Sequence, residues 1–183
     1  MKTFDEALHY LLTKAKQTEK TETISISDAL GRVLAKPIVS TVNVPPHDNS
    51  MMDGYAIHSF DLEHNSVFTV SQRIPAGSTP QALKTGTATR IFTGAPIPEG
   101  ANMVIMQEES EPLSETEIKI TAEKTNVGQN IRVIGEDIAE NATILKAGHK
   151  LRPQDLGLIT SIGIDQVVVF KPLTIATFTT GDE

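Results

Sequence analysis

The chain has 183 residues, of which 39% are hydrophobic and 4% aromatic, with no cysteine and no tryptophan. That length supports one or two domains with a core of Ile, Val, Leu and Ala, and the missing cysteine excludes a disulfide framework, a thiolate zinc site and a Cys nucleophile. Sixteen basic against 23 acidic residues give a net charge of −7, so neither nucleic acid nor an anionic membrane is an expected partner, since both call for a basic surface. An anionic small molecule remains compatible with this charge, because a local group of donors outweighs the mean field. No apolar run approaches the ~20 residues of a membrane span, and Met1–Glu6 lacks the apolar core of a signal peptide. The expected location is the cytoplasm.

In chain order, Thr3-Phe4-Asp5-Glu6 reads as a capping box. Phe4, Ala7, Leu8, Leu11, Leu12 and Ala15 follow at helical spacing and predict a helix to about Lys16. Its apolar stripe needs a partner, and the apolar face of a later helix is the expected one. Glu22–Ser27 alternates and predicts a short strand. Ser27-Asp28 predicts a second helix over Ala29–Leu34, and Lys36–Ser40 reads as extended.

Val44-Pro45-Pro46-His47-Asp48-Asn49-Ser50-Met51-Met52-Asp53-Gly54-Tyr55-Ala56 is a stiff loop. Its prolines fix φ and remove two backbone donors, and Asp48, Asn49 and Ser50 favour bonds to their own backbone. Short strands are then predicted at Val67–Ile74, Thr87–Phe92, Met103–Glu108, Thr116–Thr121 and Ile131–Ile134, separated by Gly and Pro turns. That spacing points to a small barrel or sandwich. The acidic run Glu108–Glu117 reads as a solvated hairpin loop.

A third regime begins near Asp137. Ala142–Leu145 and Gly148–Leu151 read as short strands, and Pro153 opens a helix that Gly163 stops, with Leu156, Ile159 and Ile162 facing a core. Gln166–Phe170 and Leu173–Phe178 read as apolar strands. The second leads into Thr179-Thr180-Gly181-Asp182-Glu183, as a doubly wound α/β domain often begins. A lone terminal strand cannot bury itself, so the chain reads as a piece of something longer.

Four constellations carry chemistry-bearing residues. Asp53, braced by the proline loop with Gly54 behind it, reads either as a working carboxylate or as a turn aspartate bonding nearby amides. Thr93-Gly94 offers a hydroxyl and close amides to an oxyanion, or merely closes two strands; it is not a Walker loop. Arg132 and Asp137 flank Gly135-Glu136 and either pair with each other or leave the Arg132 fork for an anion. Asp182-Glu183 sits where α/β domains bind ligands, or where acids favour a helix start. His9, His47, His58, His64 and His149 show no metal-ligand spacing.

Taken together, the Pro45–Ala56 run, Arg90-Ile91-Phe92-Thr93-Gly94-Ala95-Pro96-Ile97-Pro98-Glu99-Gly100, Arg132 with Gly135-Glu136-Asp137, and Thr179–Glu183 resemble the molybdopterin molybdenumtransferase family (MoeA and the gephyrin E domain) in sequence order. One departure is His47, where the family often carries an aromatic residue. The resemblance implies an α+β fold. Residues 1–43 and 138–171 would form a discontinuous, elongated α/β dimerisation domain, and 44–137 an inserted β-rich, barrel-like domain. Residues 172–183 would begin a truncated molybdopterin-binding α/β domain.

The implied activity of the whole protein is insertion of molybdate into adenylylated molybdopterin with release of AMP, assisted by Mg²⁺; this portion alone would be inactive. Asp53, Thr93 and Glu183 match positions implicated in catalysis, and Arg132 and Asp137 positions on the substrate side of the cleft. The implied partners are a second copy in a homodimer and molybdopterin adenylyltransferase. The alternative is a non-catalytic dimerisation or scaffolding piece. A sugar-binding β domain fits poorly, because two Tyr, six Phe and no Trp leave few aromatic platforms.

Overall fold

A computed structural model describes residues 3–16, 18–179 and 181. It is a mixed α+β structure with few helices. In chain order its elements are α1 (Phe4–Lys14), β1 (Thr21–Ser25), β2 (Ile38–Val39), β3 (Asn49–Ser50), β4 (Gly54–Ile57), α2 (Ser59–His64), β5 (Val67–Ile74) and β6 (Thr87–Ile91). β7 (Met103–Met106), β8 (Ser110–Pro112), β9 (Glu117–Ile120), β10 (Ile131–Arg132), β11 (Thr143–Leu145), α3 (Pro153–Ser161) and β12 (Gln166–Phe170) follow. The chain divides into two compact units: one holds the segments up to Val39 and from Thr143 onward, the other is Ser40–Ala142.

In the first unit, α1 begins at the expected capping box: Thr3 Oγ1 accepts from the Glu6 amide at 3.3 Å, and Glu6 Oε2 accepts from the Thr3 amide at 2.8 Å. None of its residues is buried, and Phe4 is 79% and Leu11 65% exposed. The expected packing of α1 on the later helix is therefore absent. The later helix, α3, has Pro153 in its first turn, buries Ile159 and ends before Gly163 at φ +80°, the left-handed residue that releases a chain from a helix. β1 pairs antiparallel with β12, with Thr23 opposite Val168, and β2 pairs with β11. Leu34, Leu151, Ile159, Val167 and Val169 form the buried interior.

Two expectations fail in this unit. Ala29–Leu34 is not a helix. A single 3₁₀ turn over Ile26–Asp28 precedes it, after which the Gly31, Leu34 and Ala35 amides bond to Leu151, His149 and Val168 carbonyls. Long-range backbone pairing wins over a marginal local helix, which is too short to hold itself in water. Leu173–Phe178 is not a strand either. No neighbouring strand pairs with it among the described residues, and Leu173, Ile175 and Phe178 are exposed.

The second unit is built on a six-stranded, curled sheet in the order β7-β4-β6-β5-β9-β8. Only β5 and β6 run parallel; the other neighbours are antiparallel. Successive residues point to opposite faces of a strand. Ile57, Phe68, Ile105 and Ile118 accordingly join one buried cluster, and Ala56, Ile74, Ile91 and Val104 another. β4 falls where the sequence reads as the end of the proline loop. It is the second strand from the β7 edge, and it packs so closely that a Cβ on Gly54 would lie 1.9 Å from the Ile105 carbonyl oxygen. Gly54 is there for approach rather than for turning freedom.

Candidate functional site

Three of the motif segments meet in the second unit around β3. On one edge β3 pairs with β10, placing Arg132 opposite Asn49 and Ile131 opposite Ser50. On its other edge the Ser50 amide donates to the Ala95 carbonyl at 2.9 Å, and the Gly94 amide donates to the Ser50 carbonyl at 2.8 Å. The loop's polar residues are its fasteners. Asp48 Oδ1 accepts from the Ile134 amide at 2.7 Å. Ser50 Oγ donates to the Met52 carbonyl at 2.6 Å and accepts from the Met52 amide at 3.3 Å. A short segment preceded by two prolines and bonded on both edges has little freedom left, so it sets the positions of what it carries.

Asp53 follows directly and is half-exposed. Its Oδ1 accepts from the Thr93 amide at 2.8 Å and from the Thr93 hydroxyl at 2.9 Å. Among the described residues, Oδ2 has no hydrogen-bond partner. The amide bond first, then the hydroxyl bond, hold the Asp53 carboxyl below its ordinary value, and the Arg90 charge acts in the same direction. Asp53 is thus an ionised carboxylate at neutral pH with one oxygen held by two bonds and the other unbonded among the described residues. It bonds a neighbouring amide, and its second carboxylate oxygen is left without a hydrogen-bond partner among the described residues.

Thr93 is exposed at the end of β6. Its amide and hydroxyl are both committed to Asp53, so it orients the carboxylate instead of offering a separate oxyanion donor. Arg132 and Asp137 meet on the other flank of β3. Arg132 Nη2 donates to Asp137 Oδ2 at 2.5 Å, and Nε lies 3.8 Å from Glu136 Oε1. The Asp137 hydrogen bond and charge raise the Arg132 pKa above its ordinary value. Gly135 closes this turn at φ +71°, its amide donating to the Pro45 carbonyl at 3.0 Å. The expected strand to Ile134 stops at Arg132 for that reason. Glu183 lies outside the described residues.

Arg90 is a further polar residue of this region that nothing in the sequence pattern singles out. It donates to the Gly54 carbonyl at 3.0 Å and to Gln107 Oε1 at 2.6 Å, and its guanidinium lies over the Tyr55 and Phe92 rings. Its place in the Arg90–Gly100 motif was visible, but its role depends on sheet register. Around these polar groups Met51, Met52, Val133 and Ile134 are exposed. Among the described residues, no group of three or more His, Asp or Glu side chains could hold a metal ion. Asp53 supplies one free carboxylate oxygen. The described residues by themselves do not make a magnesium site.

The chain matches the family description "MoeA N-terminal region (domain I and II)" over residues 2–163. It is 38% identical to a molybdopterin molybdenumtransferase of Haemophilus influenzae, covering 100% of this chain and 45% of that protein. It is 34% identical to one of Nostoc sp., covering 94% of this chain and 41% of that protein. The crystal structure of a molybdopterin biosynthesis MoeA protein from Pyrococcus horikoshii superposes with a TM-score of 0.82 at 37% identity, over 91% of this chain and 45% of that one. The chain thus spans less than half the length of these relatives, and it belongs to the MoeA family, as its N-terminal region.

Proposed function

We propose that this chain is the N-terminal portion of a transferase that inserts molybdate into adenylylated molybdopterin and releases AMP. The observation that carries this reading is the Asp53–Thr93 pair. Two residues forty positions apart, which the resemblance matches to family positions implicated in activity, meet in one hydrogen-bonded unit that leaves one carboxylate oxygen unbonded among the described residues. A fixed, ionised carboxylate beside a phosphoanhydride orients a water or shares in binding a cation, without having to reorganise during the reaction. Magnesium commonly binds through one or two carboxylates together with substrate phosphates, so Asp53 would be one ligand and the others would come from elsewhere. Arg132, steadied by Asp137, lines the other flank as a substrate-side cation.

A homodimer belongs to the same proposal. Exposed Phe4, Leu8, Leu11 and Leu12 form an uncovered apolar stripe on α1, and exposed Met51, Met52, Val133 and Ile134 surround the polar site. Exposed apolar surface of this kind marks faces that another surface covers. The scaffolding reading keeps the dimer and drops the chemistry.

The deciding experiment is molybdate-dependent AMP release by the complete protein that contains this chain. Asp53→Asn keeps an acceptor for both Thr93 bonds and removes the charge, so turnover should fall at an unchanged melting temperature. Wild-type turnover in that variant removes Asp53 from the site, and absence of molybdate-dependent AMP release by the complete protein leaves only the scaffolding role.

A further inference from the structure

β4, β6 and β5 are successive neighbours in the sheet. Their registers set Tyr55 opposite Arg90, and Arg90 opposite Arg73. The three side chains therefore form one cross-strand row on one face, on strands ~4.8 Å apart. Two guanidiniums side by side repel, and like charges directly opposite each other destabilise a sheet. Among the described residues, neither Arg73 nor Arg90 forms a salt bridge with a carboxylate. Instead both lie on one ring: the Arg73 guanidinium carbon is 4.8 Å and that of Arg90 4.7 Å from the Phe92 centroid. Arg90 is also 5.2 Å from the Tyr55 centroid.

The donors are only partly used. Arg90 gives one N–H each to the Gly54 carbonyl and Gln107, which leaves three of its five. Among the described residues, the Arg73 guanidinium donates no hydrogen bond. The row opens on a cavity of about 450 Å³, which Ser71, Gln72 and Ser114 also line. Glu115 lines it too, without reaching either guanidinium as an ion pair.

We propose that Arg73 and Arg90 form an oxyanion-binding site that takes the phosphate group of a small molecule. A tetrahedral dianion accepts from two forks at once and cancels the repulsion between them. A single carboxylate would neutralise only one of the two charges. The Phe92 and Tyr55 rings hold the planar guanidiniums while their remaining N–H groups stay free. The inference needs no molybdopterin chemistry and stands apart from the function proposed above.

The test is a titration of the chain with inorganic phosphate, followed by calorimetry and by the arginine side-chain N–H resonances in NMR, with chloride as the control. Saturable binding is expected, weakened about tenfold or more by Arg73→Gln, the loss of one charge-assisted contact. Arg73→Gln should melt close to wild type, since the Arg73 side chain makes no hydrogen bond or ion pair among the described residues and relief of the guanidinium repulsion offsets the lost stacking on Phe92. Arg73→Glu should abolish binding, Arg132→Gln should leave it intact, and Asp53→Asn, which removes a negative charge that acts on Arg90, should not weaken it. Arg90→Gln removes a bond to the Gly54 carbonyl as well, so the two Arg73 variants are the decisive ones. Absence of saturable phosphate binding, or equal binding by wild type and both Arg73 variants, overturns the proposal.

Discussion

Asp53 takes two hydrogen bonds on one oxygen from a single residue, Thr93: the amide at 2.8 Å and the hydroxyl at 2.9 Å. The bonded oxygen anchors the carboxylate, and the other has no hydrogen-bond partner among the described residues. This division of labour follows from where the two residues stand. Asp53 immediately precedes β4 and Thr93 follows β6, and these strands are antiparallel neighbours.

Removing the hydroxyl separates its effect from that of the amide. Both bonds favour the charged carboxylate, so Thr93→Val should raise the Asp53 pKa part of the way to its ordinary value, with the amide bond still holding it down. The side-chain carboxyl ¹³C shift of Asp53, followed against pH, reads this directly. An unchanged midpoint would show that the hydroxyl contributes nothing.

Gly54→Ala tests the close approach of β4 to β7. The added methyl meets the Ile105 carbonyl, a backbone group that cannot rotate away. Destabilisation of at least about 2 kcal/mol is expected from overpacking, measured by urea unfolding, together with loss of turnover in the complete protein as Asp53 shifts. A variant as stable as wild type would mean that β4 moves freely.

Phe68 is 1% exposed in the larger of the sheet's two apolar clusters. Phe68→Ala should cost about 3–5 kcal/mol, again by urea unfolding. The loss should register in probes of the Ser40–Ala142 unit.

Asp155 supplies a pH signature in the first unit. Its buried carboxylate accepts from Arg152 Nε at 3.0 Å and Nη2 at 3.1 Å, and lies 2.8 Å from His149 Nε2. An ionised carboxylate only accepts, so His149 Nε2 carries the hydrogen. Arg152 first, then His149, hold the Asp155 carboxyl well below the usual carboxylate range. A depressed folded-state pKa contributes stability above the unfolded value of about 4 and loses it as pH falls further. The melting temperature should therefore drop below about pH 4 in wild type, and Asp155→Asn should flatten that acid limb while lowering stability at neutral pH. An equally steep acid limb in the variant would place the titrating group elsewhere.

The α1 stripe yields the last expectation. Leu8→Glu with Leu11→Glu should leave α1 helical, because its capping box is untouched, yet shift the mass seen by light scattering from dimer to monomer. A wild-type chain that is monomeric at high concentration removes the dimer from the proposal.

Local chemistry made much of this legible. The Thr3–Glu6 box, the Pro153 start and Gly163 stop of α3, and β5 at Val67–Ile74 follow from capping rules and period-two alternation. Whatever depends on distant partners did not. Ala29–Leu34 has helix-compatible residues, but its amides find carbonyls more than a hundred positions away. Gly54–Ile57 reads as loop because Gly opens it and nothing local announces β7 and β6 on either side. Asp53 was legible as a braced acid, whereas its tie to Thr93 needed the register of two strands. Arg90 stood inside a recognised motif, and only the parallel pairing of β5 with β6 sets Arg73 beside it.

β3 is two residues long and bonded along both edges, to β10 on one side and to the Gly94–Pro96 loop on the other. Adding or deleting a single residue there would shift one flank against the other and turn alternate side chains inside out. The Asp53–Thr93 and Arg132–Asp137 pairs would then no longer share a frame. Segment length at Asn49–Ser50 is therefore as tightly constrained as residue identity, while the solvated stretch around Leu113–Thr116 is the natural place for related chains to grow or shrink.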